Sequence, residues 1–378
     1  MTWPSVNVTE QNLQQGSTGE IERHLLFVGT GDSNKGTLQA VTPQSNLDEV
    51  LGAADSVLKS NLNAALLNAG QNAFYHVYVL ADAQTWDAAV LDAQQTSSFE
   101  GVVVTDDCVK ADVNKAATLR AKLIADFGRW TWFILSVAGI SVSGTPPAPT
   151  QSWGEYATAI SNIVKGLSVY AVQAVPRNFG NEPGVLAGRL CNRSVTIADS
   201  PARVMTGPLL AMGSDDLPVD KTGASLDLAT LQTLEGNRFS VPMWYPDYEG
   251  YYWSDGRTLD ATGGDYQAIQ DLRIVDKVAR RIRIKGIVRI GDRSLNSTPK
   301  SIEANKQYFS GVLRDMSKNT VVGNVAFPGE CMPPQPDDIA ITWLDSKTVN
   351  IYVIVRTYDC PLGIGINIML KKDEEGDS

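Results

Sequence analysis

The side chains able to do chemistry are few and scattered. The two histidines, His24 and His76, sit in apolar strand-like runs with no second His, Cys or carboxylate at ligand spacing, which points to packing roles and to no bound metal. The four cysteines, Cys108, Cys191, Cys331 and Cys360, form no C-x-x-C pair, so neither a zinc site nor a disulfide framework is indicated and a reducing compartment fits. GISVSG at 139–144 lacks the G-x-S-x-G spacing of a nucleophile elbow. Adjacent carboxylates occur at Asp106-Asp107, Asp215-Asp216 and Asp337-Asp338, but neighbours on a strand point to opposite faces and loops collect aspartate anyway. No catalytic constellation and no cofactor are expected.

One stretch resembles a phosphate cradle. HLLFVGTGDSNKG is an apolar strand running into a turn with Gly29, Gly31 and Gly36. A P-loop needs Gly-Lys-Ser/Thr opening a helix, whereas here Lys35 precedes Gly36 and a strand-like Thr37, Leu38, Gln39 follows. A nucleotide-dependent α/β enzyme using the Gly29 to Gly36 turn therefore stands as the alternative reading.

The densest charge lies in residues 250–291. Arg273, Lys277, Arg280 and Arg281 fall at i, i+4, i+7 and i+8, with Arg283, Lys285, Arg289 and Arg293 just beyond. On a helix this spacing places four cations on one exposed stripe that would suit an anionic partner, although a merely solvated face is the commoner fate of such a run. The chain as a whole has 42 acidic and 32 basic residues, a formal net charge of −10, which argues against general binding of nucleic-acid backbones. A local basic face remains suited to an acidic protein surface, and salt-sensitive DNA retention through 273–293 is the weaker alternative.

These residues need elements to hold them. At 378 residues with 43% hydrophobic content the chain can bury a sizeable core, as two domains or one elaborated one. No secretory pattern opens the sequence, and no window approaches the roughly 20 apolar residues of a membrane span, so no membrane insertion is expected. From Ile21 to about Leu135 strands alternate with helices: HLLFV, a helix capped by Ser45, a helix over 55–69, FYHVYVL, a helix from Thr85, GVVVTDD, a helix over 111–127 and WTWFIL. Such alternation predicts an α/β layer arrangement with a largely parallel or mixed sheet. A Pro/Gly/Ser loop at 141–152, a helix near 156–165, the strand LSVYAVQAV and the glycine-punctuated NEPGVLAGRLCNRSV follow. The polar connector 213–225 reads as a domain end before a helix from about Leu226. In 250–291, Ile269, Leu272, Val275, Ala279 and Ile282 give one helix its apolar face, and another helix begins after Pro299. Strands are expected at 340–343 and 349–355.

Both ends carry alternating apolar residues. Residues 1–20 are polar apart from Val6 and Val8, too little to fold alone, and read as an arm that either frays or orders by pairing. Near the other end Ile364, Ile366, Ile368 and Leu370 alternate with Gly365, Asn367, Met369 and Lys371. This predicts a second strand, either folding back on 349–355 or joining a neighbouring subunit, before the charged KKDEEGDS.

Three blocks, in order, resemble the tail sheath proteins of contractile bacteriophages and related contractile injection systems. The first is PSVNVTE, FVGTGDSNKG and VTPQSNLDEVLG followed by LNAALLNAGQNAFYHVYVL, in which Leu66 and Leu67 stand where the family has paired aromatics and Ala69-Gly70 where it has a double glycine. The second is EPGVLAGRLCNRSVTIADSPARV; the third is GYYWSDGRTLD with the helix QAIQDLRIVDKVARRI, which carries an Arg-x-x-Asp pair as Arg273 and Asp276. The resemblance implies an α+β organisation with an N-terminal arm (1–20), a mixed-sheet α/β domain (21–225), a C-terminal assembly domain (226–358) and a C-terminal arm (359–378). It implies a structural role without enzymatic activity or cofactor: a helical homo-oligomer around an inner tail tube, joined by strands donated between subunits and contracting to drive the tube through the host envelope. Partners would be the tube, baseplate and tail terminator, in a virion assembled in the host bacterial cytoplasm. The basic stripe is then expected to face the tube.

Overall fold

In the computed structural model the described residues are 21–370. The chain runs through β1 (Leu25–Gly29), β2 (Leu38–Val41), α1 (Leu47–Leu51), α2 (Val57–Ala69), β3 (Tyr75–Val79), α3 (Trp86–Thr96), β4 (Gly101–Val104), α4 (Lys110–Phe127) and β5 (Trp132–Val137). A small exposed hairpin, β6 (Val142–Ser143) with β7 (Ala148–Pro149), lies in the Pro/Gly/Ser loop, and α5 (Trp153–Val164), β8 (Val172–Pro176) and α6 (Glu182–Cys191) follow. Six strands form one sheet in the order β2-β3-β1-β4-β5-β8, parallel except for β2, which runs antiparallel to β3. The sheet is mixed, and the fold is the α/β arrangement that the alternation of elements predicts.

Every residue of β1, β4, β5 and β8 is buried, so both faces of the sheet are covered. Helices α2 and α6 pack together along one layer, and α3, α4 and α5 form a second. The glycines that punctuate α6 do not break it. A Cβ on Gly184 would stand 2.0 Å from the Asn61 carbonyl oxygen, and one on Gly188 2.4 Å from that of Ala65, so their absence lets α6 lie directly on the backbone of α2. Asn61 ties the crossing by accepting from the Gly184 amide at 2.9 Å. Helix α1 is capped by Asn46, whose side chain accepts from the Asp48 amide, and not by Ser45, whose hydroxyl instead accepts from the Thr42 amide.

Beyond α6 come α7 (Leu228–Gly236), the antiparallel pair β9 (Pro242–Tyr245) and β10 (Tyr248–Trp253), the long α8 (Ile269–Val288) and α9 (Pro299–Met316). Two further hairpins close the fold, β11 (Thr320–Val322) with β12 (Val325–Phe327), and β13 (Ile339–Trp343) with β14 (Val349–Val353). Packing does not divide at 225. Leu226, Leu231, Leu234, Phe239, Trp253 and Leu259 belong to the sheet's own core, which extends to Ile269 and Leu272 at the start of α8. Smaller clusters begin at Ile274 and Val278 and take in α9, Cys331 and the β13–β14 hairpin. The polar connector is thus a surface loop of the first body: Asp220 accepts from the Trp153 amide, and the Ala224 carbonyl accepts from the Trp153 indole at 2.9 Å.

Candidate assembly interface

Helix α8 joins the two bodies. Its first half is buried nearly all round, because Ile269 and Leu272 enter the sheet's core while Ile274 and Val278 enter the second cluster. The charges on that half are inside as well. Arg273 donates to Glu100 at 2.6 and 3.0 Å and to the Leu190 carbonyl at 3.0 Å, with its guanidinium 5.8 Å from the Trp132 ring centroid. Burial alone would push the Glu100 carboxyl up, but the Arg273 guanidinium holds it below the ordinary carboxylate range. Asp276 receives both terminal nitrogens of Arg120 at 3.0 and 2.7 Å. Lys277 pairs with Glu330 at 2.8 Å, and Arg280 reaches Glu22 at 2.6 Å and the Trp130 carbonyl at 3.2 Å.

The expected exposed stripe is therefore corrected. Arg273 and Lys277 are buried and Arg280 is half-buried, each with a carboxylate of this chain; of the four, Arg281 alone is exposed, followed by Arg283 and Arg293. Helical spacing put these cations on a common side correctly, but that side faces Glu100, Glu22 and Glu330, whose positions depend on residues far away in sequence. Sequence reasoning missed these partners. The available signal was Glu100 itself, a carboxylate wedged between Phe99 and the all-buried β4, which in such a place needs a cation.

The glycine turn does not form an anion cradle. The Thr30 amide and hydroxyl donate to Asp106 at 3.2 and 2.6 Å, the Asp32 and Ser33 amides to the Leu51 carbonyl and the Gly36 amide to the Val79 carbonyl, while Lys35 pairs with Asp82 at 2.9 Å. These donors are held by the chain's own acceptors, and a phosphate would meet Asp106. His24 and His76 pack under Phe74 and Phe99 with their ring nitrogens 2.7 Å apart. Among the described residues no group of three or more His, Cys, Asp or Glu could hold a metal ion, and no helix is long and apolar enough to cross a membrane.

An exposed apolar run lies at the C-terminal end. The chain leaves β14 with Arg356 bound to Asp338 at 2.7 Å and its carbonyl accepting from the Met332 amide. Residues 358–362 then line a cleft of about 470 Å³ against Thr196, Arg203, Met243, Tyr245 and Ile274. From there the expected strand pairs with no other strand among the described residues: Ile364, Ile366, Ile368 and Leu370 are 78, 78, 91 and 84% exposed, and the segment does not fold back on β14. Val6 and Val8, expected in the other arm, lie outside the described residues. A run of large apolar side chains bared to water, in a chain whose β13–β14 sheet has only two strands among the described residues, is an unfinished surface.

Comparison with known proteins identifies the family. Family profiles described as DUF2586, N-terminal domain, and DUF2586, C-terminal domain, match residues 3–257 and 265–373. A protein of Haemophilus phage HP1 (strain HP1c1), named "Putative tail sheath protein", is 50% identical over 378 residues, covering 99% of this chain and 100% of the relative. The chain belongs to the tail sheath protein family. It is a sheath subunit, a structural protein and not an enzyme. Among solved structures, a chain of the anti-feeding prophage baseplate, determined by cryo-electron microscopy, shares the fold with a TM-score of 0.58 at 13% identity, over 98% of this chain and all of that one. The sheath tail protein of Desulfitobacterium hafniense is similar at a TM-score of 0.48 and 11% identity, over 93% of this chain and all of that one.

Proposed function

We propose that this sheath subunit polymerises head to tail into a helical array around an inner tail tube, and that each copy is completed by a terminal strand from a neighbour. The observation that carries the proposal is the bared run from Ile364 to Leu370, which alternates like a strand and pairs with no strand among the described residues. An open sheet edge offers unpaired backbone groups, and an incoming strand satisfies them while burying its alternate side chains. Because such a contact does not close on itself, repetition yields a helix of subunits. Residues 1–20, with Val6 and Val8, act as a second arm on the strength of their sequence pattern.

Links made by arms stay connected while rigid bodies rotate, so the array can pass from an extended to a contracted packing and drive the tube through the host envelope. The buried ion pairs of α8 suit such a body, since they fasten its two parts together. The tube contact falls to the exposed end of α8, Arg281 with Arg283 and Arg293, facing an acidic tube surface. Exposed ion pairs contribute only about 0–1 kcal/mol each, weak enough to part on contraction. The baseplate, a named context of the structural neighbour, and a tail terminator are the further partners, in a virion assembled in the bacterial cytoplasm. Negative-stain microscopy of the purified chain tests the proposal: hollow tubes are expected, and monomers or small closed rings at every concentration contradict it.

A further inference from the structure

We infer that in an unassembled subunit the amino-terminal segment docks on its own chain, with Trp3 and Pro4 seated in the cleft at the root of the tail, and that this contact holds both arms back until a neighbour displaces it. The docking stands on the cleft itself; only its consequence for assembly rests on the strand-donation reading above.

The cleft, at about 470 Å³, falls in the ~300–1,000 Å³ range of small-ligand pockets, which is room for an indole and the proline after it. Several of its polar groups satisfy one another or the backbone. The Thr196 hydroxyl donates to Asp199 at 2.7 Å and the Ser254 hydroxyl to the Val241 carbonyl at 2.7 Å, while Arg203 pairs with Asp199 at 3.8 Å and stacks 5.2 Å from the Phe327 ring centroid. Much of the remaining lining is apolar: Met243, Ile274 and Pro328, with Tyr245, Tyr358 and Leu362 38, 38 and 57% exposed. Such a lining favours a large apolar side chain over a polar metabolite. Asp359, also on the lining, supplies the acceptor that a buried indole N–H needs.

The amino-terminal segment is rooted beside this cleft. The Arg23 guanidinium donates to the Val195 carbonyl at 2.6 Å and the Cys191 thiol to the Arg23 carbonyl at 3.4 Å, and Thr196, next after Val195, lines the cleft. Glu22, paired with Arg280, fixes the same root on α8. Trp3 lies 18 positions ahead of Ile21, and a tether of that length spans up to about 60 Å. Trp3-Pro4 is the bulkiest apolar pair in residues 1–20, which contain no Lys or Arg. A short tether gives an effective concentration on the order of mM, so in dilute solution the anchor meets its own cleft before a neighbour's. Because Tyr358 to Leu362 form one wall, a seated Trp3 packs against the tail root while it ties down the arm.

Cys360 reports on the site, because it lines the cleft and is half-buried whereas Cys108, Cys191 and Cys331 are buried. In dilute full-length chain under mild oxidation, Ser5→Cys, just past the anchor, is expected to link to Cys360 within one chain about tenfold faster than Gln11→Cys, which shares the tether but not the anchor. Equal rates overturn the docking, and links that form only between chains overturn its assignment to the same chain. Trp3→Ala alone should speed alkylation of Cys360 by about tenfold, and an unchanged rate overturns the anchor. Closing the link between position 5 and Cys360 should stop polymerisation and reduction should restore it. Polymers formed with the link closed overturn the restraint on assembly and leave the docking standing. Absence of polymers from the reduced parent chain refutes helical assembly itself, while the linking rates still decide the docking.

Discussion

Arg273 on α8 and Glu100 at the head of β4 form a doubly hydrogen-bonded ion pair whose side chains are 1 and 0% exposed. It fastens the helix that carries the second core to the sheet that carries the first. Removing one partner leaves a buried charge uncompensated, which costs about 3–5 kcal/mol. Arg273→Ala or Glu100→Ala should therefore lower the urea midpoint strongly. Arg281→Ala, at an exposed position on the same helix, should change it by no more than about 0.5 kcal/mol.

The crossing of α2 and α6 gives a second pair of expectations. Gly184→Ala forces a methyl to within 2.0 Å of the Asn61 carbonyl oxygen, so the helices must separate, at a cost of about 1–3 kcal/mol. Gly286→Ala, on α8 where a Cβ meets nothing within 4 Å, should stabilise by about 0.5–1 kcal/mol. Thermal denaturation of both variants checks the contrast.

A buried carboxyl and a half-buried histidine pair give pH dependences of opposite sign. Burial pushes the Glu182 carboxyl up from 4.5 to about 7, against hydrogen bonds from the Phe179 and Gly180 amides at 2.6 and 2.8 Å. The folded state binds this proton more tightly than the unfolded one, so the stabilisation is complete below pH 4.5 and is lost as pH rises through about 7. Glu182→Gln should flatten the fall in denaturant midpoint between pH 5 and pH 8 that is due to this group.

His24 and His76 act the other way. Burial holds both down from 6.5 to about 4, and for His24 the neighbouring His76 adds to it. Their contribution is present above pH 6.5 and is lost as pH falls through about 4. Urea titrations of His76→Gln and the parent chain should show a smaller loss of midpoint in the variant between pH 7 and pH 4.

Much of the sheet was legible because its strands are continuous apolar runs, whereas the cap read at Ser45 belongs to Asn46, one residue on. Helix α6 was not read as a helix, because Gly184 and Gly188 look like breakers until the backbone of α2 lies against them. The cations of α8 were legible as a group but not as buried: their exposure depends on Glu22, Glu100 and Glu330, and periodicity within one helix carries nothing about those. A polar loop such as 213–225 looks the same in sequence whether it separates two cores or crosses the surface of one, and the packing of Leu226 to Leu272 on the sheet's core depends on contacts far away in sequence. The tail from Ile364 to Leu370 was legible as a strand pattern, and whether it turned back on β14 was left open. Among the described residues it pairs with no strand.

The most direct measurement compares the intact chain with one truncated after Leu362, by sedimentation and negative-stain microscopy, with circular dichroism as the check on folding. The account predicts that the shortened chain keeps its fold and its melting transition but remains monomeric under conditions where the intact chain forms tubes. Tubes formed equally well by the shortened chain would contradict it.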